Sequence, residues 1–420
     1  MQVMKWSVIA LAVAAGSTQM AVASSQSESK GLIEDTSFEI FNRALYMNRD
    51  FRSGSPARSA QSYREETGLG IRLLLESGFT QGTVGVGFDA HSLSSIKFDS
   101  GRGRHSNGLF ATDSDGRGED TQSEIGGAIK FRVSDTVLKH GNMFVGNPVL
   151  STDDSRILPE VATGTMVTSN EIEGLEIQAG RFTALNSQTN TARDSANGGA
   201  LESIDFLGAS YSFTDDFSGA IYASHVEDHF DKRYLNLNYN LGLSEEQSIN
   251  FDFNAYRTTD TGNKLSGNVD NTIWSLAAAY NVGAHTITLA HQRSSGNSGY
   301  AYGVDGGGTI WLANSVQYSD FLYEDETSWQ VRYDIDMASY GVPGLSFMTR
   351  YVAGDNINMG AAQSDASERE LDIEAKYVIQ EGAAKDLSFR IRNAFYRADN
   401  RLDNDINDFR LIVEYPLSVL

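Results

Sequence analysis

The chain has 420 residues, with 55 Asp plus Glu against 33 Lys plus Arg, a formal net charge of −22. Such acidity argues against nucleic acid as a partner, and the lack of any cysteine excludes disulfides as its stabiliser. Only 5 prolines accompany 40 glycines, 18 tyrosines and 21 phenylalanines, a composition that suits long hydrogen-bonded strands.

Residues 1–23 read as a cleaved secretory signal. Lys5 supplies the positive start, 8–15 the short apolar core, and Ala21-Val22-Ala23 the cleavage site. The apolar run is too short to span a membrane, and no later segment reaches about 18 consecutive apolar residues. Residues 24–420 then form one domain, opening on a polar stretch, 24–29, expected to be a loose end. A large secreted β-protein and an outer-membrane barrel both fit so far. Low mean hydropathy does not exclude a barrel, whose wall alternates apolar and polar residues.

Period-2 alternation then recurs along the chain. It begins with a first strand in which Glu39 and Arg43 share a face. It continues at 68–77, 83–91, 124–133, 175–182, 206–213, 234–241, 249–256, 272–280 and 285–292. The last segments are 328–337, 344–352, 371–380, 387–396 and 409–415. Tight turns at 214–216, 244–246 and 281–284 alternate with long Gly-, Ser-, Asn- and Asp-rich connections. These lie at 99–120, 148–160, 184–200, 257–271, 294–308 and 354–369. Short periplasmic turns and long extracellular loops are the habit of membrane barrels. The reading is all-β: a transmembrane antiparallel β-barrel of about 18 strands around an aqueous lumen. The segment 148–165 carries Arg156, Ile157, Leu158 and Pro159. An exterior loop has little use for Ile-Leu-Pro, so it is expected to fold inward as a constriction loop.

Alternation also sorts the cations. Lys130 and Arg132 oppose Ile129, Phe131 and Val133. Arg350 opposes Phe347 and Tyr351, Lys376 opposes Ile373 and Tyr377, Arg390 and Arg392 oppose Phe389 and Ile391, and Arg410 opposes Leu411. A cation facing hydrocarbon costs roughly 2–4 kcal/mol at the midplane, so these should face the lumen. There they could hold anions weakly at several stations, as conduction requires. The alternative for each is pairing with a lumen acid such as Asp334, Asp336, Asp372 or Glu374.

Other chemistry is poorly supported. His225 and His229 on a strand lie about 13 Å apart, too far to share one ion, so no metal is expected. No Gly-x-Ser-x-Gly elbow and no readable triad appears. Gly306-Gly307-Gly308 lacks the strand-then-helix context of a phosphate loop. No cofactor is called for, and catalysis is not expected.

Several collinear segments resemble the OprD-type outer-membrane carboxylate channels of pseudomonads. They are Met4-Lys5-Trp6-Ser7, 79–85, 271–280, 312–321, 338–345 and 385–392, and the likeness runs over essentially the whole chain. The resemblance implies an 18-stranded barrel in the outer membrane, a monomer or a weak trimer amid lipid and lipopolysaccharide. It implies passive uptake of small carboxylate-bearing molecules. Carried over by position, the basic ladder would be Arg49, Arg156, Lys376, Arg390, Arg392 and Arg410, faced by Ser315 and Asp320. Arg43, Lys130, Arg132 and Arg350 are further candidate lumen cations.

One branch of the family favours basic amino acids. The other, the OccK branch, favours cyclic or aromatic carboxylates such as benzoate. The first branch has an extra constriction acid where this chain has Gly308, and tyrosines in the loop matching 184–200, which has none here. Ser100-Gly101-Arg102-Gly103-Arg104 resembles the second branch, which is therefore expected. A basic-amino-acid porin, or a general-diffusion porin, is the alternative. The chain ends in Leu420, where many barrels end in phenylalanine.

Overall fold

The computed structural model describes residues 26–52, 62–99, 104–189, 200–306, 308, 310–360 and 363–420. The proposed signal and much of the stretch 100–104 lie outside these residues, as does most of the loop 184–200.

The described residues form twenty strands. The first nine are β1 Ser37–Phe51, β2 Tyr63–Glu76, β3 Gly85–Asp99, β4 Thr121–Val133, β5 Thr136–Met143, β6 Gly146–Asn147, β7 Leu150–Ser151, β8 Val161–Ile172 and β9 Leu175–Asn186. Next come β10 Ile204–Ser212, β11 Phe217–Val226, β12 Phe230–Ser244, β13 Gln247–Asp260, β14 Asp270–Val282 and β15 His285–Gly296. The last are β16 Thr327–Asp336, β17 Leu345–Ile357, β18 Ala366–Val378, β19 Ser388–Ala398 and β20 Ile406–Ser418. Eighteen form one antiparallel sheet; β6 and β7 make a small hairpin inside a loop. β1 pairs with β2 on one side and with β20 on the other, from Glu39↔Ser418 to Phe51↔Ile406, and so closes the barrel. Closure leaves no sheet edge, which is what lets strands cross a bilayer.

The alternation sets the two faces. Ile125, Ile129, Phe131, Phe389, Ile391 and Leu411 are exposed outward, while Lys130, Arg132, Arg350 and Arg410 are buried inward. Two-residue turns join β4 to β5, β8 to β9, β12 to β13 and β14 to β15. Gly174 and Gly283 sit in two of them at φ +76° and +56°, where a side chain would be strained. The opposite rim carries the long connections.

Three strands were not legible. β5 places Val137 and Leu138 side by side, β8 is dominated by Thr, Ser and Ala, and β11 holds small residues, so apolar contrast along each is weak. The expected constriction loop folds inward as read, but 161–165 belongs to β8. Of the connection read at 294–308, residues 294–296 complete β15, and the remainder begins a second inward loop, 297–326. Its Tyr300, Val304, Ile310 and Leu312 are buried in the largest apolar cluster. The apolar cores thus lie under the two loops, against the inner wall.

Of the stretch 24–29, the described residues 26–29 are docked, not loose. Gln26 opens a short 3-10 helix and is buried; its Nε2 donates to the carbonyls of Thr80 and Gly82. The side chain of Arg132 donates to Gln26 Oε1 at 2.9 Å.

Candidate functional site: a constriction with a basic track

Loop 144–160 is held against the wall by a buried ion cluster. Arg43 on β1 and Arg72 on β2 both donate to the carboxylate of Asp154, at 2.7 Å and 2.5 Å for the closest contacts. Arg43 also reaches the carbonyls of Asp154 and Arg156 and pairs with Glu414, and Arg72 reaches the carbonyl of Ile157. Burial pushes the Asp154 pKa up, but Arg72 and Arg43 more than offset this and hold it below the usual carboxylate range. Ile157 then packs with Leu45, Met47, Leu93 and Leu109. Gly70 makes room: a Cβ there would lie 2.5 Å from the Ile157 carbonyl oxygen. Gly68 does the same for the Phe110 ring.

This docking projects Arg156 into the lumen. Its Nε donates to the Asn107 carbonyl at 3.0 Å and its Nη1 to Ser155. Among the described residues it forms no ion pair. Burial, with Arg410 and Arg49 nearby, lowers its pKa to about 9, so it remains charged at neutral pH.

The other ladder residues continue along adjacent strands. Arg49 on β1 lies opposite Asp408 on β20 and binds it at 2.6 Å. Arg410, two residues on, also binds Asp408, at 2.7 Å. Arg410 stands directly opposite Arg392 on β19, and Arg390 directly opposite Lys376 on β18. Glu374 lies 3.6 Å from Arg390 and 3.4 Å from Arg392. Lys376 has no ion-pair partner among the described residues. Six cations therefore share two close carboxylates, Asp408 and Glu374. Like charges directly across a strand pair destabilise it, so this track runs against folding stability.

The second loop covers the track. Gln317 accepts from Arg392 Nε at its Oε1, 2.8 Å, and from Arg410 at its carbonyl, 3.0 Å, while its Nε2 donates to Asp408. Glu370 on β18 accepts the backbone N–H groups of Tyr318 and Ser319. Ser315 Oγ donates to Asp320 Oδ1 at 2.5 Å, and the Tyr302 hydroxyl to Asp320 Oδ2 at 2.6 Å. Burial raises the Asp320 pKa in spite of these two donors. Lys232 on β12, buried and without a carboxylate partner among the described residues, donates to the Tyr300 hydroxyl and the Tyr302 carbonyl, each at 3.0 Å. Its ammonium lies 4.4 Å from the Tyr300 ring centroid.

The structure thus brings Arg49, Arg156, Lys376, Arg390, Arg392 and Arg410 onto one track, and joins Ser315 to Asp320. The further candidates are engaged elsewhere. Arg43 anchors the first loop, Arg350 pairs with Asp372 at 2.5 Å, Lys130 pairs with Asp89, and Arg132 holds Gln26. Sequence reasoning missed Arg72, Asp154, Lys232, Tyr302, Gln317 and Asp408. Arg72 was available from alternation, sharing its face with Gly68 and Gly70. The others depend on where loops land. Among the described residues no metal-binding group occurs; His225 bonds Asp231 and His229 bonds Ser266.

The model of the outer membrane porin, OprD family, matches residues 30–419. Porin D of Pseudomonas aeruginosa is 46% identical over 450 aligned residues, covering 100% of both chains. The crystal structure of Acinetobacter baumannii OccAB1 is 32% identical at a TM-score of 0.89, covering 94% of this chain and 100% of that one. The structure of Pseudomonas aeruginosa OpdK with vanillate is 33% identical at 0.82, covering 92% and 100%. The chain belongs to the OprD family: it is an outer-membrane porin of Gram-negative bacteria, a channel and not an enzyme.

Proposed function

We propose that this porin takes up small carboxylate-bearing molecules, with aromatic or cyclic carboxylates such as benzoate favoured. The observation that carries the reading is the track of six cations served by two close carboxylates. A solute carboxylate meets Arg156 first, then passes Arg49 and Arg410, Arg392, and finally Arg390 and Lys376. Each arginine offers charge-assisted donors, and neighbouring stations allow release as well as capture. Gly308 adds no carboxylate beside Asp320, so the opposite side suits a neutral ring. OpdK, solved with vanillate, is compatible with this class.

A second reading is a solute that also carries a cation, such as a basic amino acid. Asp320, with Ser315 and Tyr302, would receive it. Uptake into proteoliposomes of radiolabelled benzoate, arginine and a neutral sugar separates these readings. Benzoate well above both others supports the first, and arginine on top the second. Equal rates would mean a general pore and would overturn both.

A further inference from the structure

The outward face of the barrel, near the rim that carries the long loops, departs from the apolar pattern below it. On β12 the outward residues run Tyr239, Leu237, Leu235 and then Arg233. On β13 they run Phe251, Phe253, Ala255 and then Arg257. The change marks the upper border of the hydrocarbon. There Arg233 and Arg257 stand directly opposite each other across β12 and β13. Arg257 has Asp270 and Thr272 as partners. Arg233 is exposed and has no ion-pair or hydrogen-bond partner among the described residues. The surrounding charges are satisfied: Arg181 binds Asp205 at 2.8 Å, and His225 binds Asp231 at 2.6 Å. In a chain of net charge −22, Arg233 thus keeps an exposed positive charge with no acid partner among the described residues.

Beside Arg233 the wall is hollow. Ala179 and Ala223 flank Leu207 across β9, β10 and β11, and Ala223 lies opposite Arg233. Together with Val167 and Arg181 they line an open groove of about 650 Å³ on the outer surface. Its floor is apolar, and its lining also carries Arg181 and His225, paired with Asp205 and Asp231, and Arg233, unpaired among the described residues.

We propose that this groove is a fixed binding site for a phosphorylated, acylated lipid of the outer leaflet. An acyl chain lies over Ala179, Leu207 and Ala223. The phosphate is bound by Arg233, which has no acid of its own among the described residues, with Arg257, held by Asp270, next to it across the strand pair. Phosphate suits the pair because guanidinium groups donate to it in a bidentate manner. A lone carboxylate would lack the acyl chain that the floor accommodates. The site is on the lipid side of the wall and is independent of what the lumen transports.

The test is native mass spectrometry of the full detergent-purified chain with diphosphorylated lipid A, fully dephosphorylated lipid A, and inorganic phosphate. The wild type should retain the phosphorylated lipid. In the double variant Arg233→Gln, Arg257→Gln its occupancy should fall about tenfold, and Lys385→Gln at the opposite rim should change nothing. Heat-modified gel migration verifies that each variant is a folded barrel. Equal retention by wild type and double variant, or equal retention of the dephosphorylated lipid, would mean unspecific annular lipid and overturn the site. Displacement of the lipid by millimolar inorganic phosphate would assign the arginines to free phosphate and overturn the lipid.

Discussion

Arg392 and Arg410 stand directly opposite each other on β19 and β20, and Gln317 from the second inward loop accepts a hydrogen bond from each. The Gln317 side-chain oxygen takes the bond from Arg392 and its backbone carbonyl the bond from Arg410, so one neutral residue joins the two cations. Each also has one carboxylate, Asp408 for Arg410 and Glu374 for Arg392, and each of those is shared with a further arginine, Arg49 or Arg390.

Replacing Arg390 and Arg392 together by glutamine should lower benzoate uptake about tenfold, equivalent to ~1.4 kcal/mol of lost interaction. Removing two like-charged neighbours should leave the melting temperature unchanged or slightly higher. Uptake in proteoliposomes and heat-modified gel migration report the two effects. Unchanged uptake in a folded variant would remove the ladder from the mechanism.

Asp154→Asn strips the shared carboxylate from Arg43 and Arg72. Breaking a buried pair on one side costs about 3–5 kcal/mol. The cost falls on docking of loop 144–160, since the barrel hydrogen bonds are untouched. Single-channel conductance should rise, and amides around Ile157 should exchange faster. A conductance equal to wild type would show that this cluster does not hold the constriction.

Lys232→Met tests the other loop. The thioether packs among the same aromatic rings, but the bonds to the Tyr300 hydroxyl and Tyr302 carbonyl are lost. Each bond to a charged donor is worth about 1.5–3 kcal/mol, offset by no longer burying a lone ammonium. Overall stability should change little, while Tyr302 loosens over Asp320. Hydrogen exchange is expected to speed up in 297–326 and stay unchanged in β12.

Acid should make the pore more anion-selective. The Asp320 pKa is raised in the folded protein, so the docked loop takes up a proton more readily than the unfolded chain. The associated stability is therefore full below the unfolded carboxyl value and is lost as pH rises through the folded one. Lowering pH through that folded value neutralises Asp320 and strengthens loop docking. Reversal potentials in planar bilayers should shift toward anions across this window, and Asp320→Asn should hold the acid-side value at every pH. A wild-type shift that persists in Asp320→Asn would assign the titration to another group.

The faces of most strands were legible from sequence because the strand period of two is local. Phe389, Ile391 and Phe395 on one side and Arg390 and Arg392 on the other needed no tertiary information. The same holds for Lys376 against Ile373 and Tyr377, and for Arg410 against Leu411. Strands β5, β8 and β11 escaped because their alternating positions differ little in polarity. The inward fold of 148–160 was legible from Ile157 and Leu158, which a water-facing loop has no reason to carry.

What a sequence could not contain is which strand stands beside which and where a loop comes to rest. Arg49 and Arg410 share Asp408 only because β1 closes on β20, joining residues 359 positions apart. Gln317 lies over the ladder, and Lys232 over Tyr302, only because loop 297–326 folds back into the lumen. Local alternation determined that the cations face the lumen. Barrel closure and loop docking decided which of them are neutralised by acids and which stay free to meet a solute.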